Sequence, residues 1–281
     1  MASHNMHYLY NVEYFEPLYS FRGDISELSN NSNLSDQFGN LNCEINDFEY
    51  EEVYDYADNL SEKLKSAEPG AGFKYKEFEL YTSYPGLLLG TGYEHDISAK
   101  EGITCGFSFD YVTGLPVIPG STLKGMLRSC FPEKGKADGQ EKNNLIESVI
   151  KTVTNDDNFQ SENISYEKLV DDIFEEDGET DIFIGAYPIP GRGQRILKKE
   201  YITPHKNPIK NPIPIMLLKV RPNVKYRFMF MLKDSVRDSG DIVLSADKKA
   251  ELFRELILIE GIGAKTNVGF GRFAMIQNNN A

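Results

Sequence analysis

Hydrophobic and polar residues alternate from Phe73 onward in the stretch FKYKEFELY. Such alternation predicts a strand that buries one face and exposes the other. Farther along, GSTLKGMLRSCF has apolar residues at helical spacing between Leu123 and Cys130. This spacing predicts a helix that begins just after a Pro-Gly turn, with Ser121 or Thr122 as its capping residue. The chain therefore contains both the two-residue period of strands and the 3.6-residue period of helices.

The remaining segments continue this mixed pattern to the end of the 281-residue chain. TDIFIGAYPIP predicts a short buried strand, and IPIMLLKVRPNVKYRFMFML predicts two strands about a turn at 221–223. SADKKAELFRELILIEGIG has the pattern of a capped amphipathic helix, and RFAMI that of a closing strand. The order strand, helix, strands, helix, strand predicts an α+β fold built from two interleaved halves of ferredoxin type.

Changes in composition divide the chain into an N-terminal extension and a main domain. Residues 1–72 are acidic and rich in Asn, Ser and Tyr, and they end in the turn-forming SAEPGAGF. We expect this extension to pack on or beside the domain formed by 73–281. Two insertions are predicted within that domain: a polar, acidic segment at 131–180 with two amphipathic helices, and a basic segment at 190–212 without apolar periodicity.

Net charge bears on the class of partner. The formal charge of −13 argues against a nucleic acid, whose phosphates need lysine and arginine. The charges are segregated, however: residues 1–72 hold 14 acids and 3 bases, whereas residues 186–237 hold 12 bases and 2 acids. This distribution favours a protein with one face for a polyanion and acidic regions that stay solvated or meet basic partners. Chance clustering of surface charge is the alternative.

Composition also disfavours several classes of protein. Three widely separated cysteines with no CxxC spacing indicate neither a disulfide framework nor a zinc site, and we expect no metal ion and no cofactor. The sequence has no uninterrupted apolar run of about 18 residues and no signal-peptide pattern at its start. A cytoplasmic location is the resulting expectation.

A glycine-rich stretch, GIGAKTNVGFGRF, occupies 261–273. A dinucleotide fingerprint must open a helix that leads to a further strand, and too few residues follow here. A Walker loop needs glycine directly before the lysine, where this chain has Ala264. Two interpretations remain: a plain turn, or a phosphate-binding loop built from four glycines and three polar side chains. The glycines are Gly261, Gly263, Gly269 and Gly271, and the polar residues are Lys265, Thr266 and Arg272.

The predicted helix start at GSTLKGMLRS is a second candidate anion site. Free N–H groups and the helix dipole at Ser121 favour a negative ligand, and Lys124 and Arg128 follow, one turn apart from each other. An ordinary capped helix would have the same sequence features.

Both motifs resemble segments of the RAMP superfamily of CRISPR-associated RNA-binding proteins. PVIPGSTLKGMLRS is similar to a segment in the N-terminal half of these proteins, and GIGAKTNVGFGRF is similar to their C-terminal glycine-rich loop. Five further pieces resemble, in order, the sixth-subunit family of type III-B CRISPR (Cmr) effector complexes: YPGLLLGTGYEHD, FDYVTGLPVIPGS, DIFIGAYPI, YITPHKNP and NPIPIMLLKV. The resemblance extends from about Phe73 to Phe273.

This resemblance implies an RRM-related, ferredoxin-like RAMP fold and a role in an antiviral ribonucleoprotein. Family members line up along a guide RNA and hold its backbone, while base pairing reads the target. We therefore expect a non-catalytic subunit that binds guide RNA near its 3′ end, with target RNA and the other Cmr subunits as partners. The residues expected to contact RNA are Ser121, Lys124 and Arg128 at the helix start, Lys265, Thr266 and Arg272 in the loop, and Arg192, Arg195, Lys198 and Lys199 in a mobile basic arm.

The basic arm has other interpretations. A solvated, flexible loop would have the same composition. Tyr201 and His205, which follow the arm's lysines, are candidates for stacking on splayed bases, although buried or capping roles are more common for such residues.

A competing function is metal-independent cleavage of guide RNA, the activity of other RAMP proteins. His95, which is followed by Asp96, and His205 are the candidate acid–base groups, with Lys124 to stabilise the phosphorane. The sequence has no evident carboxylate cluster for metal ions and no nucleophile spaced beside a base, which favours the binding subunit. A scaffold that contacts only proteins through its acidic N-terminal region is the third possibility.

Overall fold

The protein combines α-helices with antiparallel strands. The computed structural model describes residues 5–21, 28, 30–50, 55–67, 70, 72–90, 101–103, 105–133, 139–155, 166–175, 180–203, 214–236 and 242–276. The α-helices of this described part are Met6–Asn11 (α1), Glu16–Ser20 (α2), Ser32–Asp47 (α3), Tyr56–Ser66 (α4), Gly120–Cys130 (α5), Gly139–Thr154 (α6), Tyr166–Phe174 (α7) and Ala246–Glu260 (α8). The strands are Lys74–Thr82 (β1), Ile118–Pro119 (β2), Ile182–Pro188 (β3), Leu197–Ile202 (β4), Ile215–Val220 (β5), Lys225–Leu232 (β6), Ser235–Val236 (β7), Ile242–Leu244 (β8) and Phe273–Ala274 (β9).

A five-stranded antiparallel sheet lies at the centre, in the order β2-β3-β6-β1-β9. β6 is the middle strand, where Phe228 lies opposite Phe78 of β1 and Ala186 of β3. Side chains alternate between the two faces of a strand, so the apolar alternation of β1 and β6 directs one set of residues to a common core. The strands predicted at FKYKEFELY, DIFIGAYP and KYRFMFML are confirmed as β1, β3 and β6.

Helices α5 and α8 cover one face of this sheet. Phe253 of α8 packs on Phe183 and Phe230, with ring centroids 5.6 and 5.5 Å apart. Ser245 caps α8, since its side chain accepts a hydrogen bond from the Lys248 N–H at 3.3 Å. The capped amphipathic helix predicted here is confirmed.

The predicted cap of α5 is wrong. The helix begins earlier, at Gly120, and its N-cap is Pro119, which makes no side-chain hydrogen bond; Ser121 and Thr122 lie exposed in the first turn. The physical reason is the close approach of β3, because a Cβ on Gly120 would lie 1.9 Å from the Phe183 carbonyl oxygen. Only glycine fits where the helix leaves the sheet.

A separate two-stranded sheet, formed by β4 and β5, occupies part of the predicted basic loop. We expected no regular structure in the basic segment at 190–212, and residues 197–202 instead pair with 215–220, from Leu197 opposite Val220 onward. Leu197 is the single buried residue of β4, so this strand lacks the apolar alternation that reveals a strand in a sequence. β5 and β6 flank the predicted turn at 221–223 but belong to different sheets.

The N-terminal extension shares the main hydrophobic cluster. Met6, Tyr10, Tyr14 and Phe38 are fully buried, together with Leu80 of the central sheet. The Tyr14 hydroxyl donates to the Asn42 side-chain oxygen at 2.9 Å, which satisfies its buried polar group. The described residues of 1–72 therefore contribute to the core of the domain.

Helix α4, also in this extension, packs on the opposite face of the central sheet through charged groups. Arg227 of β6 donates to Glu79 Oε1 at 2.6 Å and forms an ion pair with Asp58 of α4 at 2.7 Å. The Ser61 hydroxyl donates to Glu77 Oε2 at 2.7 Å. Burial alone would raise the pKa of Glu77 and Glu79, but hydrogen bonds outweigh it and lower both values: Glu77 accepts from Lys65, Ser61 and Tyr75, and Glu79 accepts from Arg227 and Lys225. Both carboxylates are thus ionised at neutral pH.

The two helices predicted within 131–180 are present as α6 and α7. Ile150 of α6 and Ile173 of α7 are fully buried in the main cluster, so both helices belong to the packed domain. Within the described ranges, no helix has the length and apolar character needed to cross a membrane.

Candidate nucleic-acid interface

The glycine-rich loop connects α8 to β9 and lies against the segment 83–90. The Ala264 N–H donates to the Leu88 carbonyl at 3.0 Å, and the Gly271 N–H donates to the Gly86 carbonyl at 2.8 Å. Both hydrogen bonds join main-chain groups, so the path of the loop is set by its backbone.

The four glycines of the loop all have positive φ. A Cβ on Gly271 would lie 2.0 Å from the Ile262 carbonyl oxygen, and one on Gly263 would lie 2.5 Å from the Leu88 carbonyl oxygen. No other residue fits these positions without a backbone shift. Close backbone packing therefore explains Gly261, Gly263 and Gly271, and positive φ alone explains Gly269, independently of any phosphate ligand.

The three polar residues of the loop have different surroundings. Lys265 is exposed, adopts a left-handed conformation with a φ of 61°, and has no ion pair within the described part of the chain. Arg272 instead holds the loop onto α8, because its guanidinium donates to the carbonyls of Ile259 and, at 3.3 Å, Thr266. Lys265 is thus available to a ligand, whereas Arg272 is engaged in the fold.

A cleft of about 700 Å³ separates the glycine-rich loop from α5. α5 contributes Ser121, Thr122 and Ser129 to its walls, and the loop contributes Gly263 and Thr266. The structure therefore brings together two motifs that lie more than a hundred residues apart in the sequence. Exposed hydroxyls and the free N–H groups of the first helical turn line one wall, which suits a phosphate or another anion.

Sequence reasoning missed several residues of this cleft, among them Glu260 and Cys130. Glu260, the last residue of α8, places a carboxylate on the wall, and Cys130 places a thiol there. Burial, and secondly the charge of Glu260, raise the pKa of the Cys130 thiol to about 11. This thiol is protonated at neutral pH and is a poor nucleophile. A glutamate at the end of a helix, followed by a glycine, has no sequence feature that marks it as part of a site. Glu260 comes close to α5 only in the folded chain.

Lys124 and Arg128 do not line the cleft. Helical spacing places them on the side of α5 away from Met126 and Ser129, which do line it. The Arg128 guanidinium lies 6.0 Å from the centroid of the Phe174 ring, where it packs against α7. Lys124 is half-buried and makes no ion pair with any described residue. An RNA strand that contacts the cleft and both of these side chains would have to pass around the helix.

The basic arm is partly neutralised within the chain. Arg195 forms ion pairs with Asp47 at 2.7 Å and Glu49 at 3.4 Å, both near the end of α3. Arg192 and Lys198 are exposed, and Lys199 is half-buried on β4. Neighbouring residues of a strand point to opposite faces of the sheet. Lys198 and Lys199 therefore cannot both contact an RNA backbone that lies on one face of β4.

The candidate catalytic residues lie mostly outside the described residues. His95, Asp96 and His205 belong to this group. Tyr201 is described: its hydroxyl donates to Glu101 Oε2 at 3.1 Å, and 48% of the residue is exposed. Among the residues that the structure describes, no group of three His, Cys, Asp or Glu side chains is placed to hold a metal ion.

Comparison with known proteins finds similarity to CRISPR-associated proteins. It is 28% identical, over 237 residues and 81% of its length, to the CRISPR system CMR subunit Cmr6 of Saccharolobus solfataricus. The chain covers 66% of that relative's length, slightly less than two thirds. A chain in the cryo-EM structure of the type III-B Cmr-β complex bound to cognate target RNA has a similar fold, with a TM-score of 0.53, 24% identity, and coverage of 95% of this chain and 84% of that chain.

Residues 79–274 match the RAMP superfamily. This range covers most of the chain. It includes α5, the cleft and the glycine-rich loop, and therefore both motifs on which the resemblance rests. The protein belongs to the RAMP superfamily.

Proposed function

We propose that this chain is the Cmr6-type subunit of a type III-B CRISPR effector complex, in which it binds the guide-RNA backbone near its 3′ end without cleaving RNA. The observation that carries this proposal is the 28% identity to Cmr6 across 81% of the chain, within the RAMP superfamily. Its partners are then the guide RNA, the target RNA and the other Cmr subunits.

The arrangement of the central sheet supports a ferredoxin-like, RRM-related core for this role. Four of its strands follow the order β3-β6-β1-β9, with α5 between β1 and β3 in the chain and α8 between β6 and β9. This order is the one expected of two interleaved βαβ halves. The cleft is lined by α5, by the last residue of α8 and by the glycine-rich loop that leads into β9.

The chemistry of the cleft supports contact with a nucleic-acid backbone. The first turn of α5 has free N–H groups with no side-chain cap, and Ser121 and Thr122 add two hydroxyl groups beside them. Lys265 lies in the chain between the lining residues Ala264 and Thr266, is exposed, and has no ion pair among the described residues. Contacts of this kind recognise phosphates and carry no sequence information, which suits a subunit that leaves target selection to base pairing.

The test is the salt dependence of guide-RNA binding by the complex assembled with wild-type chain or with single variants. Lys265→Ala should lower affinity and reduce the slope of log K against log salt by about one, because one phosphate contact is lost. Lys124→Ala measures whether RNA also follows the other side of α5. Lys63→Ala, an exposed lysine on α4, is the matched control and should leave the slope unchanged.

Three results would contradict the proposal. The first is a complex that assembles and protects the guide equally well without this chain. The second is an unchanged salt slope for both Lys265→Ala and Lys124→Ala. The third is cleavage of guide RNA by the purified chain alone that is abolished by His95→Ala, which would establish the nuclease alternative. Arg272→Ala is not suited to this test, because the arginine holds the loop to α8.

A further inference from the structure

Tyr84 is an exposed aromatic residue on the segment that lies against the glycine-rich loop. It is 76% exposed, and its side chain makes no hydrogen bond, ion pair or ring contact with any described residue. Two other exposed tyrosines differ from it: the Tyr111 ring packs on His7 with centroids 4.9 Å apart, and the Tyr201 hydroxyl donates to Glu101. Tyr84 therefore presents an aromatic ring that the described part of the fold does not use.

The main chain is held in place on both sides of Tyr84. Before it, the Ser83 N–H donates to the Arg272 carbonyl at 2.8 Å, and after it, the Gly86 carbonyl accepts from the Gly271 N–H at 2.8 Å. Both hydrogen bonds join this turn to the glycine-rich loop. A tyrosine has only two side-chain torsions, so a ring on an ordered backbone loses little conformational entropy when it binds a ligand.

The loop places a second exposed apolar residue next to this turn. Pro85 lies against Gly269, since a Cβ built on that glycine would be 3.5 Å from the Pro85 Cδ. Val268, which precedes Gly269, is 63% exposed. Tyr84 and Val268 are thus large apolar side chains, both exposed to solvent, on two segments that touch each other.

The exposed cation of the loop is close in the chain to this apolar pair. Lys265 precedes the single 3₁₀ turn Thr266–Val268, and its carbonyl accepts from the Val268 N–H at 3.2 Å. Three residues of 3₁₀-helix span about 6 Å. A strand whose phosphate meets Lys265 therefore has only a short distance to cover before it reaches the turn that carries Tyr84.

An unpaired nucleobase has the chemistry that suits Tyr84. Every base has a flat π face, so stacking on an aromatic ring requires no particular sequence. RNA presents such bases in single-stranded ends and loops. An apolar contact with a neighbouring protein would also cover the ring, but the exposed lysine on the same loop favours the nucleic acid.

We propose that Tyr84 stacks on an unpaired base of the RNA strand that contacts the glycine-rich loop. This inference rests on the proposed function, because it assumes that the loop contacts RNA. It adds an aromatic contact that lies outside the basic and glycine motifs and that contributes affinity without charge.

The experiment measures guide-RNA affinity of the complex assembled with wild-type or variant chain over a salt series. Tyr84→Ala should weaken binding about five- to hundredfold, as expected for the loss of one base stack. The slope of log K against log salt should keep its wild-type value, because no phosphate contact is lost. Tyr19→Ala is the matched control: Tyr19 is 75% exposed on α2 of the N-terminal extension, and its removal should leave the affinity unchanged.

Two further variants separate stacking from a general apolar contact. Tyr84→Phe should bind RNA like wild type, since stacking needs the ring and not the hydroxyl. Tyr84→Leu should bind as weakly as Tyr84→Ala, because leucine offers apolar surface but no π face. Wild-type affinity in Tyr84→Leu would overturn the inference.

A scan of single abasic positions through the RNA locates the stacked base. One position should weaken wild-type binding and have no further effect with Tyr84→Ala, because both changes remove the same contact. Melting curves of each variant check that substitution of the exposed residue leaves the fold intact.

Tryptophan fluorescence gives a local measurement, because the chain contains no tryptophan. In the full chain saturated with RNA, the indole of Tyr84→Trp should be quenched by the stacked base, and that of Tyr19→Trp should not. Unchanged fluorescence of Tyr84→Trp at saturation would overturn the inference.

The outcomes distinguish this inference from the proposed function. If Lys265→Ala flattens the salt slope but Tyr84→Ala leaves RNA affinity unchanged, the inference is wrong and the proposed function stands. The same conclusion follows if Tyr84→Ala weakens only the association with other subunits, which would assign the ring to a protein contact. If the complex binds and protects the guide equally well without this chain, the proposed function fails and the inference fails with it.

Discussion

Gly271 has a φ of 69°, and a Cβ built on it would lie 2.0 Å from the Ile262 carbonyl oxygen. The close approach exists because the Ile262 N–H donates back to the Gly271 carbonyl at 2.9 Å. The two main chains of the loop are thus in direct contact, and the loop wall of the cleft depends on this contact. At the scale of a residue, glycine here is a packing requirement of the backbone.

Gly271→Ala should therefore destabilise the protein by at least about 2 kcal/mol, because a side chain at positive φ and an overlap with a carbonyl are both unfavourable. Urea unfolding monitored by circular dichroism measures the change. Gly125→Ala is the control: Gly125 is helical, exposed and open, with nothing within 4 Å of an added Cβ. It should stabilise α5 by roughly 0.5–1 kcal/mol. Equal effects of the two substitutions would contradict this account of the loop.

At the scale of an element, α4 is attached by a network of polar contacts in addition to the packing of Tyr56 on Tyr187. Ala57 and Ser61 are its buried residues, and neither supplies a large apolar surface. Arg227 joins Glu79 of β1 to Asp58 of α4 and also donates to the Ala57 carbonyl at 3.3 Å. Ser61 and Lys65 of α4 add contacts to Glu77 of β1. Removal of one buried member of such a network leaves its partners without compensation.

Arg227→Ala should lower the free energy of unfolding by about 2–3 kcal/mol and increase hydrogen exchange in α4 more than in α8. The Arg227 side chain is only 13% exposed, which is why the loss should be large. Arg195→Ala is the matched comparison, because that side chain is 50% exposed and its ion pairs lie at the surface. It should cost less than about 1 kcal/mol. A larger loss for Arg195→Ala than for Arg227→Ala would refute this ranking.

At the scale of the whole molecule, some of the segregated charges pair with each other within the chain. Arginines of the basic 186–237 segment contact acidic or carbonyl groups of the N-terminal extension: Arg195 pairs with Asp47, Arg221 donates to the Asn46 carbonyl at 3.3 Å, and Arg227 pairs with Asp58. The basic segment is thus only partly available to a polyanion. Its charge also fastens the extension to the sheet, so the extension and the domain depend on each other.

A chain that begins at residue 73 should accordingly fail to fold as a soluble domain. The deletion removes the buried side chains of Met6, Tyr10, Tyr14 and Phe38 from the main cluster and leaves Arg227 without Asp58. Size-exclusion chromatography and thermal melting provide the measurement, and deletion of residues 1–4 is the control. A monomeric 73–281 fragment that melts at the wild-type temperature would contradict this prediction.

Sequence reasoning succeeded where a local pattern and the packing agreed. The pattern of β1 places Phe78 and Leu80 on the core face, and the helical spacing in α5, α6, α7 and α8 buries the apolar residues that it aligns. It failed at β4, because a strand with a single buried residue shows no alternation. It also failed at the start of α5, where the nearby Phe183 carbonyl leaves no room for a side chain on Gly120. Contacts between distant segments decided both places, and a local pattern does not record such contacts.

The sequence by itself determined the family resemblance, the mixed α and β class, and the two motifs that line the cleft, because each depends on residues that are close together in the chain. Only the tertiary structure decided which polar residues of those motifs face the cleft. In the folded chain Arg272 donates to the Ile259 carbonyl, Arg128 packs on Phe174, and Lys265 stays exposed. Glu260, at the end of α8, joins the residues that line the cleft. The physical reason is that availability to a ligand depends on which charges and carbonyls the fold has already paired, and those partners come from other elements of the chain.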